Sequence, residues 1–251
     1  MIQDIHSHSY YSLCGKDNPE VIIEAAIKGG IEVFGICDHN NGIGFGSKES
    51  RAADPSIIPN RYNQYALRKY FDHLTLLKEK YADKITLLRG IELATNALNP
   101  VGKITLPEDE DISYFDYCLI EHLNHPGSIT GGDLFSYAER CGCKWVGVAH
   151  TNLFAFIKEK GWEPLKYFTR MAEQNIFWEM NVSYDSIHHY REHSYMLDFF
   201  NSPEQQDIIR RAGVRVSIGF DGHKVEDYYP ERIIDFNRRL DSLGIKKVFE
   251  D

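Results

Sequence analysis

Short apolar runs recur along this chain and alternate with segments whose apolar residues fall at helical spacing. The runs lie at 2–6, 31–37, 84–91, within 112–120, and at 144–149, 176–180 and 214–220. Their lengths and their content of branched residues predict strands buried on both faces. Helices are predicted between them. The first has Asn18 as N-cap, Pro19 at the first helical position and Gly29-Gly30 as the stop, and others cover 62–81, 132–141, 163–174, 194–212 and roughly 230–243. Strand followed by helix, repeated, requires parallel strands joined by helical crossovers. The polar stretch 42–60 is too long for a routine connection and reads as a functional loop, and 101–106 as a short excursion or an edge strand.

The residues at the end of each run turn the picture from architecture to chemistry. His6 and His8 are two apart at the end of the first run, so in an extended chain they project to the same side. Later runs end in Asp38-His39, Glu92, Glu121-His122, His150, Asn181 and Asp221-Gly222-His223. In α/β barrels the C-terminal ends of the strands converge on one face, where active sites are built. Each residue alone has a bland explanation: a hydrogen-bonded strand histidine for His122 or His150, a solvated strand end for Glu92, a helix cap for Asp221. Their joint occurrence does not, because imidazoles and carboxylates are costly to bury unless paired or bound to metal. The sequence therefore predicts an α/β barrel, one domain over 1–251, with a multinuclear metal site.

Composition narrows the partners. A chain of 251 residues, 43% hydrophobic, can bury one large core. A net charge of -9 and a pI of about 5.7 argue against a nucleic-acid backbone as the main partner. The five cysteines, Cys14, Cys37, Cys118, Cys141 and Cys143, lack the spacing of a disulfide framework and read as reduced, hence a cytoplasmic protein. No run approaches the roughly 18 apolar residues of a membrane helix, and the chain does not open like a signal peptide. Cys141-Gly142-Cys143 is too tight for a redox pair, and Ser12 and Ser217 lack a nucleophile elbow.

The motifs Asp4-Ile5-His6-Ser7-His8, Cys37-Asp38-His39-Asn40, Gly90-Ile91-Glu92-Leu93, His122, His150 and Gly219-Phe220-Asp221-Gly222-His223 run from one end of the chain to the other. As a set they resemble the polymerase and histidinol phosphatase (PHP) family of metal-dependent phosphoesterases, and by length the stand-alone histidinol-phosphatase-like branch. The resemblance implies a distorted seven-stranded (β/α)7 barrel carrying two to three divalent ions, zinc, manganese or iron, at the strand C-termini. It places His6, His8, Glu92 and Asp221 on a first ion. Glu92 bridges to a second held by His122 and His150, and His39 and His223 hold a third. Six residues past His8, where relatives carry His or Asp, this chain has Cys14, a thiolate donor suited to zinc, with Asp17 as a possible substitute.

The implied reaction is hydrolysis of a small phosphorylated metabolite by a water whose pKa the ions lower from 15.7 towards roughly 7. Asp38 or a second bound water is the acid for the leaving group. Lys16, Arg51, Asn124, Asn152 and Lys224 are candidate phosphate contacts, and Tyr10, Tyr11, Phe45, Phe154 and Tyr184 candidate pocket walls. Two other readings stay open: a metal-dependent amide or ester hydrolase, although no strand ends in a lysine suited to carbamylation, and a catalytically idle regulatory metal-binding domain. The oligomeric state is not readable.

Overall fold

The computed structural model describes residues 1–45, 64–96 and 105–250. Seven parallel strands lie side by side in chain order: β1 (Gln3–Asp4), β2 (Val33–Ile36), β3 (Thr86–Leu93), β4 (Tyr117–Ile120), β5 (Val146–Val148), β6 (Ile176–Asn181) and β7 (Val216–Gly219). The last strand returns to the first. Ile5 N–H donates to the Ile218 carbonyl at 3.1 Å, Asp221 N–H to His6 at 2.7 Å and His8 N–H to Gly222 at 2.8 Å, while Ser7 and Gly222 form a parallel bridge. The (β/α)7 barrel read from the sequence is the fold observed, and at this β1–β7 seam it is closed by single backbone bonds and an isolated bridge rather than by a regular ladder.

Among the described residues the helices are α1 (Pro19–Lys28), α2 (Asn40–Phe45), α3 (Gln64–Lys80), α4 (Leu134–Cys141), α5 (Leu153–Glu159), α6 (Pro164–Glu173), α7 (Ser194–Asn201), α8 (Pro203–Ala212) and α9 (Pro230–Ser242). Asn18 caps α1 by accepting from Glu20 N–H at 2.9 Å. The single helix expected over 194–212 is two, because Pro203 has no N–H and its ring blocks the preceding turn. Ser202 therefore leaves the helical region and caps α8 through Gln205 N–H at 3.3 Å. α2 and α5 were not expected. The start of the loop expected at 42–60 belongs to α2 and the rest lies outside the described residues, as does most of 101–106; Thr105 and Leu106 are not in a strand. No helix among the described residues is long and apolar enough to cross a membrane.

Strand alternation sorts the buried residues into two layers. Phe34, Ile36, Cys118, Ile120 and Trp178 face the helices, whereas Val33, Leu88, Tyr117, Leu119 and Phe177 fill the barrel. Gly90 makes room for the largest of these fillers, since a Cβ there would lie 2.3 Å from Tyr117 Cζ. The C-terminal segment closes the floor: Val248 N–H donates to Val216 at 3.0 Å, and fully buried Lys247 donates to the Met1 carbonyl at 2.8 Å and to Asp241. One end of the barrel is thus plugged, and chemistry is confined to the other.

Candidate metal centre

Following the interior positions up each strand takes the lining from apolar to polar: Leu88, Gly90, Glu92 on β3, and Phe177, Glu179, Asn181 on β6. His6 and His8 follow β1, and Asp221 and His223 follow β7. His6 Nε2 stands 3.1 Å from His8 Nε2 and 3.4 Å from both Glu92 Oε2 and Asp221 Oδ1. His8 Nε2 is 3.4 Å from Glu92 Oε2 and 3.0 Å from Asp221 Oδ1. Tetrahedral ligands bound at ~2.0–2.1 Å stand roughly 3.3 Å apart, so His6, His8 and Asp221 have the mutual spacing of a shared coordination shell, and Glu92 Oε2 lies at that distance from both histidines. Glu92 also reaches sideways. Its Oε1 is 3.2 Å from His150 Nε2 and its Oε2 is 3.1 Å from His39 Nδ1. Beyond these, His8, Cys14 and His39 bring donor atoms within 4.8 Å of one another, as do His39, Glu92 and Glu121.

A second observation tests the fit to cations. His39 Nδ1, Glu92 Oε2, His122 Nδ1 and His223 Nδ1 are shut away from solvent and make no hydrogen bond of good geometry among the described residues, although Glu92 Oε2 faces His39 Nδ1 at 3.1 Å and His122 Nδ1 faces Glu121 Oε2 at 3.2 Å. Buried polar atoms are rarely left so, and a cation is the partner that imidazole and carboxylate lone pairs would share. The backbone is also bent to serve this cluster. His122, His150 and Asp221 have φ of 60°, 25° and 54°, in the left-handed region, which costs on the order of 1–3 kcal/mol per residue and is typical of functional sites.

The charges packed together here shift the titration of one another. Burial alone would lower the His6 pKa, but Glu179 foremost, with Asp221 and Glu92, holds it well above the ordinary value. His39 is burdened by burial too and lifted well above its usual value by Glu92 and Glu121, and Glu92 takes His150 against burial to about 9. His8 goes the other way, to about 3, through burial and the proximity of His39 and His223. Burial would raise Glu92 and Asp221, yet the surrounding histidines keep both well below the carboxylate range. The carboxylates therefore stay ionised, and a cation held here would compete with protons for the imidazole nitrogens. Burial would likewise raise the Cys14 thiol, but hydrogen bonds with His223 and His39 bring it down to about 7.

The other residues expected from sequence are placed differently. Asp38 is fully buried beneath the loop after β1, where it accepts from Ser9 N–H (2.7 Å), Ser9 hydroxyl (2.6 Å) and Ser12 N–H (3.0 Å). His122 sits at the rim, its ring centroid 6.4 Å from that of His150 and its Nδ1 3.2 Å from Glu121 Oε2, and it joins none of the three-donor groups. Lys16 and Asn124 are exposed, Asn152 caps α5 through Ala155 N–H at 3.0 Å, and Lys224 donates to Ser186 at 3.0 Å. Arg51 lies outside the described residues. Of the aromatics, Tyr10 and Tyr184 are exposed, Tyr11 pairs with His73, and Phe154 packs on Phe168 and Trp178.

Sequence reasoning passed over Glu179. It is fully buried, with Oε1 2.5 Å from His6 Nδ1 and Oε2 accepting from His150 N–H at 2.9 Å. The signal was present: one acid inside the apolar run 176–180. Gly219 is the complement of this pair, for a Cβ there would stand 2.2 Å from Glu179 Oε1 and 2.6 Å from His6 Cβ. Gly219→Ala is therefore expected to push His6 or Glu179 aside, cutting metal content by elemental analysis and lowering stability by about 1–3 kcal/mol. Wild-type metal content in that variant would show the contact to be slack.

A parallel barrel with histidines and carboxylates gathered at its strand C-termini is an architecture that suits metal-dependent hydrolase chemistry. Residues 4–235 match the family model of the PHP domain, and the chain belongs to that family. Among solved structures it is similar to the histidinol phosphate phosphatase (HISK) of Lactococcus lactis, crystallised with zinc, L-histidinol and phosphate, at a TM-score of 0.55 and 16% identity over 98% of this chain and 94% of that one. It is also similar to the hisK protein of Listeria monocytogenes, at a TM-score of 0.39 and 14% identity over 98% and 93% of the two chains. No curated protein matches the sequence. The Lactococcus likeness supports the fold; family membership and the donor clusters together support metal-dependent phosphoesterase chemistry in general.

Proposed function

We propose that this protein is a phosphomonoesterase acting on a small phosphorylated metabolite with two to three bound divalent ions. The observation that supports this most is the 3.0–3.4 Å mutual spacing of His6, His8 and Asp221, with Glu92 Oε2 3.4 Å from both histidines and Glu92 Oε1 3.2 Å from His150 Nε2. The first four residues would hold one ion, Glu92 and His150 with His122 from the rim a second, and Cys14, His39 and His223 a third. Zinc, manganese or iron suits this donor mixture, and such ions supply an activated water for attack on phosphorus and neutralise the phosphoryl oxygens.

Glu179 keeps His6 turned with Nε2 forward, as carboxylates behind ligating histidines do. Asp38 is assigned to positioning rather than to protonating the leaving group. It fixes Ser12, whose hydroxyl lies 3.2 Å from His8 Nδ1 and accepts from His39 N–H at 2.8 Å. All five cysteines are free, which fits a reducing compartment such as the cytoplasm.

The test is to strip the protein with chelator, add back manganese, zinc or iron(II), and follow 4-nitrophenyl phosphate and then a panel including histidinol phosphate. Metal-dependent release of phosphate, with at least two ions per chain by elemental analysis, is expected. Turnover of esters or amides alone would favour the amide or ester reading, and tight metal binding with no turnover the regulatory one. In the same preparations Cys14 is expected to be alkylated readily above about pH 7 when metal-free and slowly when metal-loaded. Equal rates in the two states would remove Cys14 from the third site.

A further inference from the structure

The loop after β6 carries a histidine and an acid that belong to no strand end. Asp185 is only 1% exposed; its Oδ1 accepts from the backbone N–H of His188 at 2.8 Å and lies 2.7 Å from His188 Nδ1. His188 Nε2 in turn lies 3.1 Å from Asp221 Oδ2, and Asn181 donates to that same oxygen at 3.2 Å. The other oxygen, Asp221 Oδ1, faces His8 and His6. Both neighbours of His188 are carboxylate oxygens, which only accept, so the imidazole donates at each nitrogen.

Asp185, His188 and His223 also bring donor atoms within 4.8 Å of one another, as a separate cation site would. The distances decide against that reading. Two ligands of one ion stand roughly 3.3 Å apart, whereas 2.7 Å is the length of a charge-assisted hydrogen bond. Building on the metal centre proposed above, we infer that Asp185 and His188 form a positioning device that pins Asp221 Oδ2. Only Oδ1 is then offered to a cation, and the coordination place a chelating carboxylate would fill stays open for water or a phosphoryl oxygen. His188 acts through Asp221, and Asp185 acts through His188.

Competition titration with zinc against a chromophoric chelator tests this without reference to turnover. His188→Ala is expected to weaken the tightest ion about 10–100-fold. The His188→Ala, Asp185→Ala double variant should bind no more weakly than the weaker single one, and His189→Gln, at an exposed neighbour, should match wild type. His188→Gln should recover much of the loss, because its amide N–H can still reach Asp221 while a neutral amide does not replace imidazole as a ligand. If His188→Ala does not fold, His188→Phe repeats the measurement with the volume kept. Wild-type affinity without His188, additive losses in the double variant, or a His188→Gln as weak as His188→Ala would each overturn the proposal. Failure of the wild-type protein to bind zinc would instead overturn the metal centre itself.

Discussion

Glu92→Gln is expected to lower the proposed phosphomonoesterase activity by about a hundred- to several-thousandfold and to reduce bound metal, while the circular dichroism spectrum stays that of wild type. Glu92 is fully buried among His6, His8, His39 and His150, with contacts of 3.1–3.4 Å. Removing one charge from a buried, paired cluster costs about 3–5 kcal/mol, which at 1.4 kcal/mol per decade gives the range stated. The amide keeps the volume, so packing survives. What is lost is the negative charge that both oxygens share among the flanking donors. A Glu92→Gln protein with wild-type activity and a full complement of metal would remove Glu92 from the centre.

The second large effect is expected at Glu179, which the chemistry never touches directly. One of its oxygens lies against His6 Nδ1 and the other accepts from His150 N–H. Glutamine can accept through only one oxygen and turns an N–H₂ towards the other partner, leaving a buried donor unsatisfied at about 1–3 kcal/mol. Glu179→Gln should therefore lower the melting temperature of chelator-treated protein and weaken metal binding about 10–100-fold, as loss of a carboxylate behind a ligating histidine does. Competition titration and thermal melts on the same sample separate the two losses. Unchanged metal affinity with a lowered melting temperature would leave Glu179 a structural residue only.

The barrel was legible because every strand is buried on both faces, which compresses each into an apolar run with a visible end. The ends carried the donors: His6, His8, Glu92, His150 and Asp221 meet in space because parallel strands all finish on one face. Apolar patterning is silent on whether a helix can pass a proline, so Pro203 split a segment that reads as continuous. Glu179 was readable but overlooked, since attention to strand ends discounts an acid within a run. Asp38 is harder to read. Its place beside His39 suggests chemistry, yet alternation turns its side chain away and the serine-rich loop after β1 saturates it. The left-handed φ at His122 and the loop that brings His188 to Asp221 come from tertiary contacts, and neither leaves a periodic trace.

The seam between β1 and β7 sets when the centre can exist during biosynthesis. His8 and Asp221 touch across 213 positions of chain, and the bridge of Ser7 to Gly222 is what holds them together. At about 5–20 residues per second, a ribosome needs on the order of 10–40 s to pass from one partner to the other. Throughout that interval the nascent chain displays His6 and His8 with no Asp221 to complete their shell. On the metal centre proposed above, tight loading is expected only after Asp221 has been made, and a truncation that removes the final strand is expected to leave a chain that exposes imidazoles and holds metal weakly.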